Sequence, residues 1–106
     1  MLGTMDVVAF VPTKGREAAR QFYEKTLGLR FVSDDQFALV FDAHGVIVRV
    51  VDVSSVKDFA PAPFTILGWA VGDIAKVVGV LEKKGVKFER YPGMQQDKIG
   101  VWSSPS

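Results

Sequence analysis

The stretch "FYEKTLGLRF", Phe22–Phe31, joins a helix pattern to a strand pattern across a single glycine. Apolar side chains recur before the glycine at the spacing of one helix face: Ala19, Phe22, Tyr23 and Leu27. Gly28 suits the left-handed residue that closes a helix. The "LRFV" that follows has the β-branched and aromatic character of a strand. The stretch therefore predicts a helix that ends at Gly28 and a strand directly after it.

The same pattern occurs twice in the chain. The strand-like "DVVAFV" (Asp6–Val11) precedes the first helix, and "TILGWAV" (Thr65–Val71) precedes a second helical pattern. The apolar face of the second helix consists of Ile74, Val77, Val78 and Leu81. Asp73 is placed as its N-cap, Gly85 as its closing residue, and "VKFE" as the strand beyond. A repeat of this size indicates a duplicated supersecondary unit.

The first unit continues with "FALVFD" (Phe37–Asp42), a turn at "AHG", and the apolar run "GVIVRVVDV" (Gly45–Val53). Its predicted order is β-α-β-β-β. We expect one domain over residues 1–106, with a first module at about 6–53, a linker at 54–63 and a second module at about 64–104. The predicted class is α+β, with two curved mixed sheets around a shared cavity. By symmetry the second module lacks its last strand, and the sequence leaves open whether the chain is natively this short.

Composition excludes several functions. The chain has 106 residues, a net charge of +1 with Lys and Arg scattered among Asp and Glu, and no Cys. Disulfides, thiolate metal sites and cysteine nucleophiles are therefore excluded. Neither a nucleic-acid partner nor a membrane is expected, because there is no basic cluster and no apolar run of about 18 residues. The start, "MLGTMDVV", lacks the basic segment of a signal peptide, so a cytoplasmic location is expected.

The paired β-α-β-β-β pattern, with "FYEKTLGLRF" and "GWAVGDI" at corresponding places, resembles the vicinal oxygen chelate superfamily of glyoxalase I, bleomycin-resistance proteins and extradiol dioxygenases. The resemblance extends over Asp6–Ser104. It implies two sheets that cup a cavity. In the enzymes of this superfamily, His, Glu or Gln from the first and last strand of each module hold a divalent metal there.

The implied metal positions can be checked residue by residue. They fall on Asp6, Arg49 and Ile66, and the fourth lies beyond Ser106. Of these residues, only Asp6 has a side chain that can bind a metal, and the Arg49 guanidinium would repel a cation. The single histidine, His44, falls in the "DAHG" turn outside the pattern. We therefore predict no metal and no cofactor.

Arg49 is the unexpected residue of this apolar run, and three interpretations stay open. It forms an internal ion pair with Asp6, or it offers its planar fork to an anionic ligand, or it lies on a solvated outer face. Strand alternation does not decide among them, since "VIVRVV" is apolar on both faces.

The predicted ligand-binding set follows from strand parity and from the implied cavity. Val8 and Phe10 share the parity of Asp6, and Phe41 is a weaker candidate. Trp102 lies near the end of the sequence, where a cavity wall and an exposed edge both stay open. Trp69, by its parity, is expected to pack under a helix. The full predicted set is Asp6, Val8, Phe10, Phe41, Arg49, Ile66 and Trp102.

Three functions remain. The first, which we favour, is a metal-free protein of the bleomycin-resistance type that binds an anionic or aromatic small molecule. The second is a metal-dependent lyase, isomerase or dioxygenase whose ligands are completed by a partner chain. The third is a truncated member whose main property is assembly. No catalytic residue is predicted, and whether any reaction is catalysed stays open. A homodimer is expected, because an open apolar sheet edge favours pairing.

Overall fold

A four-stranded mixed sheet lies at the centre of the first half of the chain. The computed structural model describes residues 1–105 and divides the chain into two units, Met1–Trp69 and a second that begins at Ala70. A short 3-10 turn at Leu2–Thr4 precedes the sheet. The strands are β1 (Val8–Thr13), β2 (Arg30–Asp34), β3 (Ala38–Ala43) and β4 (Val46–Asp52).

The strand order is β1-β4-β3-β2. β1 runs parallel to β4, and the other neighbours are antiparallel, with a bulge in β2 between Phe31 and Ser33. The parallel pair requires a crossover, which the helix after β1 supplies. Pro12 is tolerated in β1 because β1 is an edge strand of this sheet. The β-α-β-β-β order predicted for the first module is therefore confirmed.

One helix covers one face of this sheet. It begins as α1 (Arg16–Arg20) and continues as a π-helical segment, Gln21–Thr26. Six buried side chains form the core between helix and sheet: Val11, Ala19, Leu39, Phe41, Val48 and Val50. Tyr23, Phe31 and Leu67 pack against this core. The alternate residues of each strand point away from the helix, so the other face of the sheet is not covered by α1.

Glycines close both helices in the predicted way. Gly28 has φ +78° and Gly85 has φ +92°, the left-handed region that a side chain disfavours. The second helix, α2, spans Ile74–Lys83, and the Asp73 carboxylate caps it by accepting a hydrogen bond from the Lys76 amide at 3.1 Å. The predicted cap and both predicted stops are confirmed.

The second predicted module, at about 64–104, differs from the prediction in its strands. Neither Thr65–Val71 nor Val86–Glu89 forms a strand, and the only pairing beyond residue 53 within the described chain is one bridge between Gln96 and Trp102. The physical reason is visible in the first unit, where β1 pairs only with β4. No described residue beyond 53 forms a strand that corresponds to β4, so Thr65–Val71 has no partner strand.

The boundary between the units falls at Trp69, so residues 54–63 and most of "TILGWAV" belong to the first unit. Trp69 itself is half exposed, and the expectation that it packs as core under a helix was wrong. The observed class is α+β. No helix among residues 1–105 is both long and apolar enough to cross a membrane.

Candidate ligand-binding face

The face of the sheet opposite α1 carries an apolar surface with one arginine near its middle. In the registers, Phe10 lies beside Arg49, and Arg49 lies beside Val40. Phe10 is 63% exposed and Val8 is 44% exposed, whereas Val40 is nearly buried. We call this surface, defined by Val8, Phe10, Val40 and Arg49, the open face.

Arg49 forms an ion pair on the open face with a residue that the sequence did not indicate. Its Nη2 donates to Asp35 Oδ2 at 3.0 Å. Of the three interpretations left open by the sequence, the ion pair with Asp6 is not the one that forms. The parallel register sets Phe10 beside Arg49, and Asp6 precedes Phe10 by four residues, which is about 13 Å along a strand. Asp35 reaches Arg49 instead from the turn between β2 and β3.

Asp35 is held in place from several sides. Its Oδ1 accepts hydrogen bonds from the amides of Phe37 and Ala38, both at 2.8 Å, while Oδ2 accepts from Arg49. The two backbone amides, and then Arg49, lower the pKa of the Asp35 carboxyl below its ordinary value. The carboxylate therefore stays ionised and orients the guanidinium at neutral pH.

The Arg49 guanidinium keeps hydrogen-bonding capacity beyond this pair. A guanidinium carries five N–H donors in a planar fork, and within residues 1–105 only Nη2 of Arg49 makes a hydrogen bond. The side chain is 29% exposed and that of Asp35 is 42% exposed, so solvent screens the pair and it adds little stability. The remaining donors can bind a carboxylate or phosphate oxygen.

A second ion pair lies towards one corner of the same face. Arg30 Nη2 donates to Asp42 Oδ2 at 2.7 Å, and Asp42 neighbours Ile47 in the register. Arg30, followed by the Gly45 amide, lowers the pKa of the Asp42 carboxyl. This pair uses the same residue types as Arg49 and Asp35 but lies at the edge strand β2, away from Phe10.

The structure brings together only part of the predicted site. Val8, Phe10 and Arg49 share the open face. Asp6 is exposed ahead of β1. Phe41 is fully buried in the core beneath the helix, because its position in β3 has the parity of Leu39, and its assignment to the ligand site was wrong.

The two remaining candidates lie elsewhere. Ile66 lines a groove with Val11 and Tyr23, residues of the side that the helix covers, and so it is not on the open face. Trp102 is half exposed in the second unit, where it bridges to Gln96.

Asp35 and Val40 are the residues of this site that the sequence analysis missed. The "SDDQ" segment signals a turn, which could have suggested a carboxylate at the end of β2. Its reach to Arg49, however, depends on the bulge after Phe31, which shifts the register of β2 against β3. That shift is not readable from residue types.

The donors at the implied metal positions do not fit a divalent metal. Arg49 occupies the β4 position, Ile66 has no donor atom, and Asp6 lies exposed outside the strand. Within residues 1–105, no three His, Cys, Asp or Glu side chains are grouped closely enough to hold a metal ion. His44 lies in the β3–β4 turn with φ +51°, as its sequence context predicts. Metal chemistry of this type requires several converging ligands, which these residues do not supply.

These features belong to a class of α+β proteins built on a βαβββ module, with one face of the sheet covered and one face open. A family model, Glyoxalase/Bleomycin resistance protein/Dioxygenase superfamily, matches residues 4–98. The chain therefore belongs to this superfamily, and the resemblance inferred from its sequence is confirmed.

Solved structures of the superfamily share the fold. A member from Sphaerobacter thermophilus DSM 20745 has a TM-score of 0.68 and 22% identity, covering 94% of each chain. A glyoxalase/bleomycin resistance protein from Streptomyces sp. CB03234 has a TM-score of 0.60 and 20% identity, covering 94% of this chain and 91% of that one. A lactoylglutathione lyase from Agrobacterium tumefaciens has a TM-score of 0.55 and 18% identity, covering 92% and 88%. Comparison with curated protein sequences gives no significant match.

Proposed function

We propose that this protein binds a small organic anion on its open face, that Arg49 anchors the anion, and that no metal takes part. The single observation that carries the proposal is the half-buried Arg49 guanidinium beside the exposed Phe10 ring. An apolar surface with one oriented charge is the usual make-up of a small-molecule site.

The Arg49–Asp35 pair supports binding rather than stability as the role of Arg49. A partly exposed ion pair contributes little free energy of folding, so the pair with Asp35 does not by itself account for Arg49. Asp35 fixes one edge of the guanidinium by a single hydrogen bond. The other edge is then available to form two parallel hydrogen bonds with a carboxylate or phosphate.

The metal-dependent alternative has less support. The superfamily includes enzymes, and one structural neighbour is a lactoylglutathione lyase. In this chain, however, the position that would carry a metal ligand in β4 is Arg49, which supplies positive charge directly. Binding without turnover is therefore the function we propose, in a cytoplasmic setting.

A melting-temperature panel tests the proposal. Aromatic carboxylates and phosphates form one set of wells, and Ni²⁺, Zn²⁺ and Mn²⁺ form another. A ligand that binds only the folded state stabilises it by about 2.7 kcal/mol at a hundredfold excess over its dissociation constant. We expect a rise with at least one organic anion. A rise with metals and with no organic anion would overturn the proposal and favour the enzyme.

Arg49→Gln is the variant that assigns the site. It should weaken anion binding at least about tenfold, since the charge-assisted hydrogen bonds are lost. Arg49→Lys should restore only part of the affinity, because an ammonium lacks the planar fork. The matched control is Arg30→Gln, which removes an arginine of the same sheet face from a similar ion pair. Equal effects of Arg49→Gln and Arg30→Gln would show that general charge, not an anchor, governs binding.

A further inference from the structure

A second concave site lies in the first unit, away from the open face. It is a groove of about 430 Å³, within the size range of small-molecule sites. Val11 and Tyr23 contribute to it, and both lie on the side of the sheet that the helix covers. Arg49 points to the other side of the sheet, and neither Arg49 nor Phe10 lines the groove.

The walls of the groove are mainly apolar. They come from the end of β1 and from the segment that follows β4, and comprise Val11, Pro12, Phe59, Pro61 and Ile66. The rings of Phe59 and Tyr23 offer aromatic surface, and aromatic pairs gain free energy beyond the area they bury. Such walls favour a flat, apolar ligand body.

Among the described residues that line the groove, Lys14 alone is charged. Its Nζ lies 5.7 Å from the centroid of the Phe59 ring, a cation–π contact that holds the ammonium at the groove. Within residues 1–105, Lys14 forms no ion pair with an acidic side chain. The groove thus presents one positive charge without a counter-charge.

Tyr23 lines the same groove and carries a hydroxyl that can donate a hydrogen bond. It lies on the π-helical segment Gln21–Thr26, and such segments often occur at functional sites. Burial raises the pKa of its hydroxyl, which therefore keeps its proton at neutral pH and can donate it to an oxygen. Within the described part of the chain, no hydrogen bond uses this hydroxyl. The Thr13 hydroxyl, by contrast, is occupied, since it donates to the Gly15 carbonyl and accepts from the Gly15 amide.

We propose that the groove binds a small aromatic monocarboxylate, with its ring against Phe59 and its carboxylate at Lys14 and Tyr23. One cation and one neutral donor match a single carboxylate. A phosphate or a dianion would leave charge unbalanced, and a neutral aromatic would leave both polar groups unused. The groove is distinct from the anion site proposed on the open face, and binding in the groove does not depend on Arg49.

Phenylacetate is the probe, titrated into the ¹⁵N-labelled full chain and followed by amide chemical shifts. Saturable shifts are expected at Lys14, Tyr23 and Phe59 at millimolar phenylacetate or below. Two matched compounds separate the contributions: 2-phenylethanol keeps the ring without the charge, and acetate keeps the charge without the ring. Each should bind at least about fivefold more weakly than phenylacetate.

Variants assign the polar contacts. Lys14→Met keeps the aliphatic stem and removes the charge, and Tyr23→Phe keeps the ring and removes only the hydroxyl. Each should weaken phenylacetate binding at least about fivefold. Shifts at Lys14, Tyr23 and Phe59 report the groove, and shifts at Phe10 report the open face, so the two sites are read separately in one titration. Lys25→Met is the charge-matched control, because Lys25 lies on the helical segment of Tyr23 but outside the groove.

Three results would overturn the inference. The first is an absence of saturable shifts at the groove. The second is a set of shifts centred on Phe10 and Arg49 and abolished by Arg49→Gln, which would assign phenylacetate to the open face. The third is a shift of the groove amides with protein concentration alone, which would make the groove a contact between copies of the chain.

Discussion

At the scale of the residue, the arginine in the apolar strand is explained by strand parity. Val48 and Val50 point into the core, and Arg49 between them points to the open face. The guanidinium therefore avoids the core and reaches the carboxylate of Asp35. The charge stands in an apolar sequence without being buried in an apolar core.

Asp35 should make folding stability depend on pH. The pKa of its carboxyl is lowered in the folded state by the Phe37 and Ala38 amides and by Arg49. A lowered folded pKa gives stability that is complete above the unfolded value of about 3.9 and is lost as pH falls through the folded pKa. The pKa values of Asp42 and Asp52 are also lowered, which adds loss in the same direction. Urea unfolding at pH 7 and pH 3 should show lower stability at pH 3.

Asp35→Asn isolates its share of this dependence. The variant should be less stable at pH 7, and its stability should fall less between pH 7 and pH 3, because one of the titrating carboxylates is gone. Asp6→Asn is the control, since Asp6 is exposed and within the described residues receives no hydrogen bond. An unchanged pH dependence in Asp35→Asn would contradict the assignment.

At the scale of the element, both helices end at a glycine in the left-handed region. Nothing lies within 4 Å of where a Cβ would stand at Gly28, so a substitution there is opposed by backbone conformation and not by a clash. The glycine is needed because the chain must turn from the π-helical segment into β2 within a few residues.

Gly28→Ala should lower the free energy of unfolding by about 1–2 kcal/mol, the cost of a non-glycine residue at positive φ. Gly28→Asn should cost less, because asparagine tolerates this region. Gly3→Ala is the matched control, with open space around it and no positive φ. Denaturant unfolding measures all three, and equal stability of Gly28→Ala and Gly3→Ala would show that the left-handed turn is not required.

At the scale of the whole molecule, the outer edge of β1 stands out. Within the described chain β1 pairs only with β4. Exposed apolar side chains lie on or next to β1 at Val7, Val8 and Phe10. An exposed apolar edge is a site of pairing with another chain. We therefore propose that two copies associate symmetrically through β1.

Sedimentation or light scattering should then give twice the chain mass at micromolar concentration. Val8→Lys should shift the equilibrium to the single chain, because a charge is placed beside the β1 edge. Val32→Lys is the control, since Val32 is equally exposed but lies on β2 at the opposite edge of the sheet. A single-chain mass for the unaltered protein would remove the dimer, and insensitivity to Val8→Lys alone would place the interface elsewhere.

Sequence reasoning was most accurate for features that depend on neighbours along the chain. The helix stops at Gly28 and Gly85, the Asp73 cap and the turn at His44 all follow from local residue types, and the structure confirms each. It failed for Phe41 because β3, like β4, is apolar on both parities. The strands predicted for the second module do not form, because a residue pattern indicates a preference for a strand and not the presence of a partner strand.

The module, its β-α-β-β-β order and the superfamily are readable from the order of the residues, because they depend on periodicity and on glycine and cap positions. Tertiary structure alone decided the partner of Arg49 and the composition of the open face. Parity relative to the core and the register across the β2 bulge arise only when strands pair. Residues far apart in the chain, Asp35 and Arg49 or Lys14 and Phe59, then lie close enough to act together.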